Sequence, residues 1–101
     1  MIIITSTAKI KAQHFKDAVA LAKTHVASSR LEEGCLSHQY FEDPENERNL
    51  VFLECWRDQE AINFHFTQSY SQTMSASFKA WSDGPLSLEF HHVEKTDRLS
   101  L

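Results

Sequence analysis

The sequence predicts an α+β fold in the order β-α-β-β-α-β, with an antiparallel sheet. Three observations lead there. Apolar residues alternate with polar ones in four segments, the pattern of strands that bury a face. Two intervening stretches switch to a spacing of three and four, the pattern of helices. The run Asp43-Pro44-Glu45-Asn46-Glu47-Arg48-Asn49 is turn chemistry and joins the middle two strands as a hairpin.

The first strand is expected over Ile2 to Ile10, with apolar residues on both faces at its start, which suits burial on two sides. Phe15, Val19, Ala22 and Val26 then fall at helical spacing, widened by Ala18 and Leu21, so a helix runs from about Ala12 to about Arg30 and stops near Gly34. In Cys35 to Glu42, Leu36, His38 and Tyr40 alternate against Ser37, Gln39 and Phe41. In Leu50 to Trp56, Phe52, Glu54 and Trp56 share one face, and Val51, Leu53 and Cys55 the other. Asp58 caps a short helix holding Ala61, Ile62, Phe64 and His65. Ser69-x-x-Gln72 reads as a capping box for a further helix, on which Tyr70, Met74, Phe78 and Trp81 share a stripe. Asp83-Gly84-Pro85 ends it, and Leu86 to Glu94 alternates as the last strand. The order is the ferredoxin-like arrangement, with its second helix broken in two. Residues 1–95 read as one domain and 96–101 as a C-terminal tail. One sheet face packs on the helices. The other is also partly apolar, and a second copy's sheet is its simplest cover, so a homodimer through the sheet faces is expected.

Composition narrows the function. The chain has 101 residues, 10 of them basic and 14 acidic, a net charge of −4 with neutral histidine. That sign gives no attraction to a phosphate backbone or an anionic membrane surface, so neither nucleic acid nor membrane is an expected partner. No basic segment followed by a long apolar run opens the chain, so no signal peptide is expected. The two cysteines, Cys35 and Cys55, are not arranged as CxxC and read as reduced, buried thiols. A cytoplasmic location follows as the expectation.

Six histidines raise the question of a metal. Spacing argues against one: there is no HxxxH, HxH or HExxH, and the adjacent His91 and His92 point to opposite faces of a strand. Glycine-rich phosphate loops and the GxSxG elbow are absent too. What the residues do give is an aromatic gap between helices and sheet, the usual make-up of a small-molecule site. His65, between Phe64 and Phe66, is its candidate proton-transfer group, with an unperturbed pKa near ~6.5, although its spacing alone fits better a histidine that packs and bonds one backbone group. Trp56 and Trp81 read first as core. Glu54, mid-strand, needs a partner such as Arg57 or Arg48. Tyr40 and His38 either bond a ligand oxygen or pack across strands.

Four segments occur in order: Glu33-Gly34-Cys35-Leu36, Asp43-Pro44-Glu45, Phe52-Leu53-Glu54-Cys55-Trp56, and Asp58 to His65 with Glu60-Ala61 inside it. Over about Ile2 to Glu94 the chain thereby resembles the antibiotic biosynthesis monooxygenase domain family of dimeric α/β barrels. The resemblance implies a homodimer with one pocket per subunit. It implies oxidation of phenols, anthrones or quinols by O2, with no metal or flavin cofactor. Under it His65 is the catalytic base, or the hydrogen-bond partner of the ionising oxygen. Trp56, Trp81, Phe64 and Tyr70 wall the aromatic substrate, with Tyr40 and His38 as further polar contacts. From the residues alone, Met74 belongs to the apolar lining of the gap, and Glu54, His38 and His92 compete as its second polar group. The family's haem-degrading branch is resembled less, because the first strand has no Asn. A branch that isomerises a small phosphorylated signal is the alternative, with Lys23, Arg57 or Lys79 as phosphate anchors. A ligand-binding dimer without catalysis is the third possibility.

Overall fold

A computed structural model describes the whole chain, Met1–Leu101. It has four strands and three helices: β1 (Ile2–Lys9), α1 (Phe15–Ser29), β2 (Cys35–Glu42), β3 (Asn49–Trp56), α2 (Gln59–Thr67), α3 (Ser69–Trp81) and β4 (Leu88–His92). The sheet order is β2-β3-β1-β4, and every neighbouring pair is antiparallel. This is the expected ferredoxin-like topology. The helix-facing side carries Ile2, Ile4 and Ala8 from β1 and Leu50, Phe52, Glu54 and Trp56 from β3, all buried. α1 packs on β2 and α3, and α2 on β3.

Several boundaries differ from the sequence reading. A 3-10 turn over Ala12–His14 precedes α1. The Asp58 cap forms, its carboxylate accepting from the Ala61 N–H at 2.9 Å. The Ser69 capping box does not. Gln68 is the extended residue before α3, Ser69 is already helical, and no side chain caps that end. β4 is shorter than Leu86 to Glu94, because only Leu88–His92 finds a partner row, Ser6 to Ile2 on β1. A bulge at Leu36 shifts the register of β2, so Cys35 shares the inner face with His38 and Leu36 is exposed. Gly34 does not end α1 through a left-handed turn, since Gly84 is the one glycine with positive φ. Both cysteines are free and half-buried.

The core has two apolar clusters. One gathers Ala8, Ile10, Ala18, Ala22, Leu50, Phe52, Met74 and Phe78. The other gathers Ile2, Ile4, Trp56, Ala61 and Ile62. Between them runs a row of polar side chains, set by the pairing of His38 opposite Glu54. No helix is long and apolar enough to cross a membrane.

Candidate functional site

The polar row begins in strand register. Glu42 opposes Leu50 across the hairpin, which puts His38 opposite Glu54. Strand alternation turns both toward the helices. Glu54 takes neither Arg57 nor Arg48 as its partner. Arg57 pairs with Glu33 and Asp58, and Arg48 donates to the Ile10 carbonyl. The Trp56 indole N–H instead donates to Glu54 Oε1 at 2.9 Å, and His38 Nε2 lies 3.2 Å from the same oxygen. The His38 contact falls outside hydrogen-bond geometry, and both His38 ring nitrogens are buried without a hydrogen-bond partner. Burial alone would raise the Glu54 carboxyl, yet His38 and the Trp56 N–H hold it below the usual carboxylate range.

The helices supply the other half. α1 brings His25, at helical spacing from Ala18, Ala22 and Ser29, and α2 brings His65. His25 is buried and its Nδ1 has no partner. Burial, then the neighbouring His38 and His65, lowers its pKa to about 4, so it is neutral near pH 7. His65 is 2% exposed and packs against Trp56, tilted by 39° with 4.5 Å between ring centroids. Its Nδ1 lies 2.7 Å from Glu32 Oε2. A carboxylate only accepts, so Nδ1 carries a proton, and Nε2 lies 3.3 Å from Ser71 Oγ. The Tyr70 hydroxyl donates to the same Glu32 oxygen. Burial, then this bond to Glu32, pushes the Tyr70 phenol above its ordinary value. Glu32 Oε1 is buried and unpartnered.

A groove of about 590 Å³ lies beside this network, where the end of α1 and the loop before β2 meet α2 and α3. Leu31, Phe64, Glu32, Tyr70, Glu33 and Arg57 are among its walls. It is not the expected gap between helices and sheet. That gap is filled by the polar row and the two apolar clusters.

The predicted site residues therefore divide. Around His65 the fold gathers Trp56 and Tyr70, with His38 within 6.1 Å between ring centroids and Glu54 beside it. Phe64 is exposed on the groove wall. Met74 is in the first apolar cluster, with Tyr40 and Trp81 packed against it. Trp81 also stacks on His14. His92 is exposed on β4, opposite Ile2.

A family model described as "Antibiotic biosynthesis monooxygenase" matches residues 1–77. The chain belongs to the antibiotic biosynthesis monooxygenase family. A Bacillus subtilis protein named "Putative monooxygenase YcnE" is 31% identical over 86 residues, covering 85% of this chain and 90% of that one. A Deinococcus radiodurans structure described as a "putative antibiotic biosynthesis monooxygenase" superposes with a TM-score of 0.90 at 19% identity, covering 99% of each chain. The Mycobacterium tuberculosis protein Rv0793 superposes with a TM-score of 0.85 at 18% identity, covering 98% of each. These two likenesses show the fold.

Within this family member, sequence reasoning passed over Glu32, His25, Ser29 and Ser71. Two signals were present. His25 stands on the apolar stripe of α1 where a hydrophobe is expected. Counting back from the hairpin turn pairs His38 with Glu54. Glu32 carries no signal of its own, because a loop carboxylate in a Glu-Glu-Gly run reads as solvated. Spacing within single elements also hid the meeting of His25, His38 and His65, which come from α1, β2 and α2.

Proposed function

We propose that the chain is a monooxygenase that oxidises a small electron-rich aromatic, a quinol, anthrone or polyphenol, with O2 at the Glu32 groove. The observation that supports it is the Glu32 carboxylate, whose Oε1 is buried without a partner and whose side chain lines a groove with apolar walls at Leu31 and Phe64. An aromatic hydroxyl lying against those walls donates to that oxygen. His65 and Tyr70 hold the other oxygen, so the released proton is shared by a Glu32–His65 pair rather than by a lone carboxylate. His65 thus keeps its part as base through Glu32, and Trp56 orients it by tilted ring contact.

The substrate anion is the reductant and gives its electron to O2. For an anthrone-type CH2 the balance closes without a further co-reactant. Both C–H bonds break, one oxygen atom becomes the new C=O, and the other leaves as water with both hydrogens. The protein's tasks are orientation, proton removal and exclusion of water.

The groove speaks against a phosphorylated substrate. Glu32, Glu33 and Glu60 line it, and among Lys23, Arg57 and Lys79 only Arg57 does. Arg57 is already engaged by Glu33 and Asp58.

The chain works as a homodimer in this reading. The outer sheet face carries Ile3, Val51, Leu53, Cys55 and Phe41, and a second copy's sheet covers them.

The test is O2 uptake by metal-stripped protein with a panel of quinols and anthrones, beside Glu32→Gln and His65→Gln. We expect protein-dependent uptake that falls about 100-fold or more in each variant. No uptake above the protein-free control, or full uptake in both variants, overturns the reading. Retention of a panel compound without turnover would identify a ligand-binding dimer instead.

A further inference from the structure

We propose that His25, His38 and His65 together bind one divalent first-row transition metal ion, of the zinc, cobalt or copper class, through one ring nitrogen each. The three rings come from α1, β2 and α2, and their ligand atoms all lie within 4.8 Å of one another. All three are buried. Tetrahedral Zn–N bonds of about 2.1 Å put ligand nitrogens ~3.4 Å apart, so closure on an ion needs about an ångström of side-chain movement. The backbone of the three elements can stay where it is.

The hydrogen bonding points the same way. His25 Nδ1 and both His38 nitrogens are buried with no hydrogen-bond partner. Buried polar atoms are nearly always satisfied, and here three orphans sit on two neighbouring rings. The ring centroids of His25 lie 5.2 Å from those of both His38 and His65. Edge-on ring contact alone leaves these atoms unpaired, whereas one cation satisfies a nitrogen on every ring.

Carboxylates stand behind two of the three ligands. Glu32 holds His65 Nδ1 at 2.7 Å, which frees Nε2 for the ion. Glu54 lies 3.2 Å from His38 Nε2, and Nδ1 on the same ring is buried without a partner. A carboxylate behind a histidine fixes the tautomer and raises ligand basicity. The two negative charges also balance a dication in an otherwise uncharged interior. Three neutral imidazoles with an open fourth position suit an ion that exchanges water or a small ligand there. The groove gives a route in, because Glu32 and Tyr70 line it and both touch His65.

The inference goes beyond the oxygenase reading and does not rest on it. Its test reads metal content and spectra, not turnover. Tag-free protein, stripped by chelator, is titrated with Zn2+ by calorimetry and with Co2+ by absorption. We expect one equivalent per chain and Co2+ bands of tetrahedral intensity. His25→Gln and His38→Gln should each weaken binding about 100-fold or more, while His14→Ala and His92→Ala leave it unchanged. Replacing a buried ring can unfold the chain, so ring-nitrogen NMR of the unmutated protein gives a second reading. Zn2+ should shift the nitrogens of His25, His38 and His65. No stoichiometric uptake, or shifts confined to His14, His91 and His92, overturns the proposal.

Discussion

Gly34 and Ala61 are in such close approach that a Cβ added to Gly34 would overlap that of Ala61 and lie 3.3 Å from the Ala61 Cα. The chain enters β2 directly beneath α2, and the Gly34 carbonyl accepts from the Arg57 N–H at 2.9 Å just before α2 begins. Gly34→Ala therefore pushes α2 away from the sheet. We expect a loss of about 1–3 kcal/mol in urea unfolding. Ala61→Gly added to it should restore part of that loss, which a double-mutant cycle reads as coupling.

Met74 lies among Leu50, Phe52 and Phe78 in the first apolar cluster. Met74→Ala leaves a cavity there. The expected cost is about 2–5 kcal/mol, read as a lower urea midpoint with an unchanged slope. A change near zero would place Met74 against open space, as a ligand wall would be.

Leu53 and Phe41 stand on the outer sheet face, 40% and 49% exposed. A carboxylate at the centre of that face is buried without a partner once two sheets meet. Leu53→Glu should convert a dimer to a monomer at micromolar concentration, measured by light scattering. A dimer that survives the change would mean association through another surface.

Cys35 has a thiol that burial, and then the charges of Glu32 and Glu54, push up to about 11. Its thiolate is scarce at pH 8. In a Cys55→Ser background, alkylation of Cys35 should quicken about tenfold per pH unit from pH 8 to 10 and level off only near 11. Levelling near pH 8.5 would show a thiol open to water.

The fold was legible because each element carries its own period. Ile2 and Ile4 alternate, Ala18 and Ala22 repeat at four, and Asp58 caps. The misplaced features depend on neighbours that a local pattern does not contain. The Leu36 bulge is one, since it follows from how β2 meets Trp56 and Cys55. The site was legible in part. His65, Trp56, His38, Glu54 and Tyr70 do come together, whereas Met74, Tyr40 and Trp81 follow the same inward stripes into the other cluster. Periodicity tells which side a residue faces, not which end of the core it reaches. Glu32 lies on a loop, where no period applies.

The middle position of β1 has a consequence for synthesis. β1 pairs with β3 on one side and β4 on the other. Its isoleucines leave the ribosome well before either partner strand exists. Until residues 49–56 arrive, an aggregation-prone apolar segment has no sheet to join, and the far edge waits for residues 88–92. The nascent chain therefore gains most from a chaperone before the hairpin is complete, while β1 is still single.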